Sequence, residues 1–231
     1  MREKRLGKRI GIFGGSFNPP HYGHFIAAFY AYHFLKLDEV WWMVTPQSPL
    51  KDPALYAPLD DRVEWCEIMA EGHDWLKVTD IEKTFPDTET AHSLKRIKAL
   101  NPDDEFIWIM GADNLAHFHE WKNWQEIMDN HEIAVLARDG YREDALNSPA
   151  ARYAAASYIE KPTDLIGRKD GWCFIDTPAF DISSSKIVRD MKAGLRGIRD
   201  LMRAVEDSIL KKGAYGLGRT PSSPAPKPPA L

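Results

Sequence analysis

Six short apolar runs, at residues 10–13, 40–44, 76–78, 106–110, 133–137 and 172–175, recur along the chain with helix-length segments between them. They are continuous rather than alternating, which is the pattern of strands covered on both faces. The segments between them have helical spacing, as in Leu59, Val63, Cys66 and Met69 and again in Ala91, Leu94 and Ile97. Each is long enough to cross from one strand to a parallel neighbour. The fold class that follows is α/β, a doubly wound parallel sheet. Two further helices are expected near the carboxyl end, over residues 182–195 and along Ile198, Leu201, Met202, Val205 and Ile209.

A chain of 231 residues with 44% hydrophobic content supports one such domain, here expected over residues 10–215. Residues 1–9 read as a basic extension, too weakly apolar for a signal peptide. Residues 219–231 contain five prolines and read as a disordered tail. No run reaches membrane-spanning length, and a formal charge of −4 argues against a general nucleic-acid binder. Cys66 and Cys173 lie inside apolar runs, so buried free thiols in a reducing cytoplasm are expected. The sequence leaves a homo-oligomer open.

In a doubly wound sheet, ligands sit where loops leave the carboxyl ends of strands. The first such loop reads Gly14-Gly-Ser-Phe-Asn-Pro-Pro-His21-Tyr-Gly-His24. Glycines at 14 and 15 let backbone N–H groups approach a phosphate, Pro19 and Pro20 stiffen the turn, and Gly23 is expected to leave room between the two imidazoles. His21 and His24 fall in the first turn of a helix that continues through Phe25, Ala28, Phe29, Tyr32 and Leu35. A phosphorylated substrate is the expected occupant.

The other loops add candidates. Lys51 follows the second strand in a proline-bounded loop and would neutralise a leaving group. Thr90 is placed as the N-cap of a helix. Gly111 permits close backbone approach, and Asp113 either accepts from a ribose hydroxyl or caps the next helix. Trp121 could stack on a flat heteroaromatic ring, whereas Trp124 is expected to face inward with Ile127 and Met128. Arg138 brings a guanidinium suited to phosphate after the fifth strand. Residues 181–189, with Ser183, Ser184, Ser185 and Arg189, open a helix as an anion site whose rival reading is simple serine capping. No hydrolase elbow, P-loop lysine or dinucleotide fingerprint is present.

Together the histidine loop, Pro49-Leu-Lys51, Thr90-Ala-His-Ser-Leu-Lys, Gly111-Ala-Asp113, Trp121, Leu136-Ala-Arg138-Asp-Gly-Tyr and the serine-rich helix start resemble the nicotinate-nucleotide adenylyltransferases. These belong to the nucleotidyltransferase superfamily with the His-x-Gly-His motif and a Rossmann-like fold. The resemblance implies transfer of AMP from ATP to nicotinate mononucleotide, giving deamido-NAD and pyrophosphate with Mg²⁺. It implies catalytic roles for His21, His24, Lys51 and Arg189. Gly14, Gly15, Ser16 and Phe17, with the two histidines, would hold ATP, joined by Gly111, Asp113, Ile182 and Ser183 to Ser185. Ser16, Lys51, Thr90, Asp113, Trp121 and Arg138 would hold the mononucleotide. The family's Ile-Ser-Ser-Ser/Thr-x-Ile-Arg pattern is altered here, since Arg189 comes one residue late. Two alternatives remain: a sister adenylyltransferase for phosphopantetheine, and a nucleotide-binding regulatory module without turnover.

Overall fold

A computed structural model describes residues 7–46, 56–168, 170–178, 182–196 and 200–217. Lys51 and the proline-rich tail lie outside the described residues. Seven strands form one sheet: β1 (Arg9–Gly15), β2 (Glu39–Val44), β3 (Leu76–Thr79), β4 (Glu105–Gly111), β5 (Glu132–Leu136), β6 (Tyr158–Ile159) and β7 (Gly171–Ile175). Their spatial order is β3-β2-β1-β4-β5-β7-β6 and every pairing is parallel. All six apolar runs are strands. The additional β6 has two residues, too few for periodicity to register.

The crossovers are α1 (Tyr22–Phe34), α2 (Leu59–Ala70), α3 (Thr90–Leu100), α4 (Ala112–His117), α5 (Trp124–Asn130), α6 (Arg142–Leu146) and α7 (Pro149–Tyr153). The chain closes with α8 (Ser184–Lys192), shorter than the expected 182–195, and α9 (Asp200–Lys212), which runs past Ile209 to Lys212; Ile198 lies outside the described residues. A doubly wound sheet buries both faces, and the core accordingly divides in two. One layer gathers Phe13, Ala28, Leu35, Trp42, Trp65 and Val205; the other gathers Ile10, Ile12, Leu94, Ile97, Trp108 and Ile127. Alternate residues of β1 feed the two layers, as the strand period requires. At Gly11 a β-carbon would come within 2.5 Å of Ile109 and 2.7 Å of Leu37, so this glycine lets neighbouring side chains close over the central strand.

Three boundaries differ from expectation. Thr90 is the first residue of α3 rather than its cap; Glu89 holds the N-cap position in extended conformation. Asp113 is likewise inside α4, behind a Gly111 N-cap. Arg9, read as the end of a basic extension, begins β1 and is fully buried. Its guanidinium donates to Glu132 at 2.5 Å and to Glu105 at 3.3 Å, crossing under β4 to reach β5. Charge in the sequence read as solvated; the partners that neutralise it are about a hundred residues away.

Removing one partner of a buried ion pair leaves the other uncompensated, which costs about 3–5 kcal/mol. Arg9→Met should lower unfolding free energy by that order in urea titration, and Arg9→Met with Glu132→Leu should recover much of it. A single variant as stable as the parent would contradict the pairing.

Candidate active site

The strand order reverses at β1, which pairs β2 on one side and β4 on the other. The loops leaving these two strands therefore diverge and open a crevice at the carboxyl edge. Gly14 and Gly15 end β1 at this point. A β-carbon on Gly14 would lie 2.4 Å from the Trp108 ring, and one on Gly15 would lie 3.2 Å from the Phe17 ring. Phe17 is buried and left-handed, with φ 44°, a conformation that β-carbon sterics disfavour in most residues. Stacking on Trp42 (5.0 Å, 25°) and an edge contact with Phe13 (6.0 Å) hold it there. An aromatic pin thus fixes the glycine loop from below.

His21 occupies the N-cap of α1 and His24 its first turn. The rings stack with centroids 3.7 Å apart. The backbone N–H of His21 donates to His24 Nδ1 at 3.1 Å, so a neutral His24 carries its proton on Nε2. A β-carbon on Gly23 would be 3.0 Å from the His21 ring and 3.1 Å from Ile182; the room it leaves is between those two residues. Burial lowers His21 from an ordinary 6.5 to about 3, with the charge of Arg138 acting in the same direction. For His24, burial comes first, then His21 and Arg138, and the ring is held well below its usual range. Both are neutral N–H donors near pH 7.

Across the crevice, a β-carbon on Gly111 would fall 2.4 Å from Asp113 Oδ1, so the glycine admits the carboxylate folded back over the strand end. Arg138 Nη1 donates to Asp113 Oδ2 at 2.7 Å, while Asp113 Oδ1 is buried without a hydrogen-bond partner among the described residues. Trp121 is half-buried and edge-on to Phe118 at 5.1 Å. Its neighbour Lys122 pairs with Glu89 at 2.6 Å, joining the Trp121 turn to the start of α3 and so to Thr90. Trp124 packs with the layer containing Ile127 and Met128, as expected.

The serine segment is divided in its tasks. Ser183 Oγ accepts from Lys186 N at 3.2 Å and caps α8, the rival reading of that residue. Ser184 Oγ donates to the Pro19 carbonyl at 2.8 Å and ties α8 to the histidine loop. Ser185 is exposed. Arg189 is 73% exposed and pairs with the adjacent Asp190 at 3.7 Å; among the described residues, the cation that acts on both histidines is Arg138. Arg62 and Asn18, which no motif in the sequence singles out, also hold these loops through backbone groups. Arg62 precedes Cys66 by one helical turn, a charge on the buried stripe of α2, and that was its available signal.

Residues 12–190 match the family model described as cytidylyltransferase-like. A Ruegeria pomeroyi protein named "Probable nicotinate-nucleotide adenylyltransferase" is 44% identical over 79% of this chain and 86% of its own length. The chain belongs to the cytidylyltransferase-like family, in its nicotinate-nucleotide adenylyltransferase branch. A Brucella abortus relative of the same name is 44% identical over 77% of this chain and 93% of its own. The fold also matches the solved Plasmodium falciparum nicotinic acid mononucleotide adenylyltransferase complexed with NaAD, with a TM-score of 0.67 at 18% identity, over 91% of this chain and 98% of that one.

A histidine whose folded pKa is depressed contributes stability that is fully present above its unfolded value and is lost as pH falls through the folded one. For His21 that window runs from 6.5 down to about 3. The urea midpoint should therefore fall between pH 7 and pH 5, and His21→Asn should flatten that fall. Parallel pH profiles for the two proteins would contradict a buried neutral imidazole.

Proposed function

We propose that this crevice joins the 5′-phosphate of nicotinate mononucleotide to the α-phosphorus of ATP, giving deamido-NAD and pyrophosphate. A phosphate oxygen of the mononucleotide forms the new bond to the α-phosphorus, and the bond from that phosphorus to the bridging oxygen of pyrophosphate breaks. The attacking oxygen is already anionic, so no protein nucleophile or general base is needed. Catalysis then rests on alignment and on stabilising charge as it moves onto the leaving group. The observation that carries this reading is the stacked His21–His24 pair at the start of α1, under a glycine loop and within reach of the Arg138 charge.

The triphosphate would lie along Gly14 to Phe17 and the N-terminus of α1, where backbone N–H groups and the helix dipole favour anions. His24 would donate from Nε2, and an incoming phosphate would raise both imidazole pKa values, strengthening the hold as charge develops. Asp113 would accept from a ribose hydroxyl through Oδ1, its unpartnered oxygen. Arg138 would exchange part of its contact with Asp113 for the mononucleotide phosphate. Trp121 would stack on the pyridine ring, and backbone N–H groups beside Thr90 and the Trp121 turn would receive its carboxylate. Donors of that kind favour the acid over the amide. Lys51 and Arg189 are assigned supporting roles toward the phosphates, with Arg138 ranked above Arg189 on charge.

Among the described residues no three His, Cys, Asp or Glu side chains group to hold a metal. The donors at the crevice are imidazole and guanidinium, which suits a Mg²⁺ carried by phosphate oxygens and water rather than caged by protein. Bound there, Mg²⁺ would supply charge neutralisation on the phosphates. No helix among the described residues is long and apolar enough to cross a membrane, and both cysteines are buried free thiols. A cytoplasmic location accords with both.

Purified protein with Mg²⁺, ATP and nicotinate mononucleotide should release pyrophosphate; nicotinamide mononucleotide should react more slowly and phosphopantetheine not at all. Turnover of phosphopantetheine alone, or of none of the three, would reject the reading. His24→Ala should lower kcat by ~10²-fold or more with the fold retained, as for loss of a preorganised charge stabiliser; an unchanged kcat would remove His24 from the site. Trp121→Ala should raise KM for the mononucleotide, and a loss confined to ATP would contradict ring stacking.

A further inference from the structure

We infer that Arg62 is a positioning residue that aims the backbone N–H groups of the glycine loop at the ATP phosphates. The inference rests on the adenylyl-transfer reading and assigns a determinant to its triphosphate site. Arg62 lies on the buried face of α2 and is 1% exposed. Its Nε donates to the Ala57 carbonyl at 3.0 Å, and its Nη1 donates to the carbonyls of Ser16 at 2.6 Å and Thr45 at 2.9 Å. Those three oxygens come from three places: the loop after β1, the loop after β2, and the approach to α2.

The two buried arginines among the described residues differ in what neutralises them. Arg9 sits against Glu132 and Glu105 at the amino edge of the sheet. Arg62 has no carboxylate partner among the described residues; neutral carbonyls take its N–H groups, and its guanidinium carbon lies 5.9 Å from the Tyr56 ring centroid. Burial accordingly holds its pKa below the ordinary arginine value. A buried cation met only by dipoles is an expensive arrangement unless a negative charge arrives nearby. The loop that Arg62 grips is the one expected to receive a triphosphate.

Peptide geometry gives this grip a direction. The Ser16–Phe17 bond is trans, since the cis bond in this loop is Asn18–Pro19. In a trans peptide the C=O and the following N–H point to opposite sides. With the Ser16 oxygen drawn toward Arg62, the Phe17 N–H is turned away from it, and that N–H has no backbone acceptor among the described residues. Thr45 strengthens the same register, because its N–H and Oγ1 both donate to the Gly15 carbonyl, at 2.9 and 3.2 Å. Two successive carbonyls, Gly15 and Ser16, are thereby drawn into protein contacts that keep their oxygens from rotating toward an anion. Asn18 Oδ1 extends the clamp, accepting from Ala57 N at 3.0 Å and from the Tyr215 hydroxyl at 2.7 Å.

The test compares the full chain with Arg62→Lys, which keeps the charge and loses the planar fork, and with Arg62→Met, which loses both. Pyrophosphate and nicotinate mononucleotide are titrated separately by calorimetry, so turnover is not required. Arg62→Lys should weaken pyrophosphate binding about tenfold or more and raise KM for ATP, with mononucleotide affinity within twofold of the parent. Arg62→Met should lose more. Equal losses for both ligands, or pyrophosphate binding within twofold of the parent, would reduce Arg62 to a structural residue. If both variants fail to fold, the parent decides the matter: pyrophosphate titration followed by NMR should shift the Phe17 amide resonance, and an unmoved resonance overturns the inference. Should the parent bind pyrophosphate through the Phe17 amide yet turn over no mononucleotide, the positioning role stands and the substrate reading falls.

Discussion

The central position of β1 is the constraint on which the rest of this molecule depends. One strand hydrogen-bonds β2 on one flank and β4 on the other, so the connections from β1 and β4 leave the sheet in opposite directions and cannot close over the gap. Buried apolar residues on alternate sides of β1 commit both faces of the sheet to helices. The carboxyl ends of the central strands are then the place where several chain segments converge without filling the space. Gly14 and Gly15 from β1 and Gly111 from β4 arrive there with no side chain of their own, and Trp108, Phe17 and the Asp113 carboxylate occupy the volume a side chain would take.

Electrostatics divides the two edges of the sheet. At the amino edge, the Arg9 charge is answered by Glu132, whose own pKa burial pushes up to about 7. Around the carboxyl-edge crevice, donors predominate: two neutral imidazoles, the Arg138 guanidinium and, beneath the loops, Arg62 without a carboxylate partner among the described residues. Two stacked histidines 3.7 Å apart could not both be charged without strong repulsion, and burial already favours the neutral forms. In the proposed reaction, neutral imidazoles would make a site that is assembled before the anion arrives, and whose attraction for it would grow on contact. Preorganisation of that kind suits a reaction in which the substrate supplies its own nucleophile.

Much of this was legible in the sequence, for reasons that differ by element. The six main strands were visible because parallel strands buried on both faces must be apolar throughout, whereas β6 is too short to leave a pattern. The histidine loop was visible because its glycines, prolines and histidines are contiguous. Arg9 and Arg62 were not, because a charged residue reads as solvent-facing until its distant partners are known. The capping assignments erred for a local reason: Thr90 and Asp113 are residues that favour N-caps, yet Glu89 and Gly111 precede them in extended conformation and take that position. At the serine segment the tasks were not separable, since capping by Ser183 and tethering by Ser184 look alike in sequence. Arg189 carried a family role in the sequence, but its exposed side chain leaves Arg138 as the guanidinium whose charge acts on both histidines.

The central claim is that the mononucleotide phosphate displaces pyrophosphate directly, with the protein supplying alignment and charge but no covalent intermediate. The stereochemistry at the α-phosphorus tests this most directly. Reaction of nicotinate mononucleotide with ATP bearing a chiral α-phosphorothioate, followed by assignment of the product's configuration, should give inversion. Retention would mean two successive displacements through an adenylylated side chain, and would contradict the account.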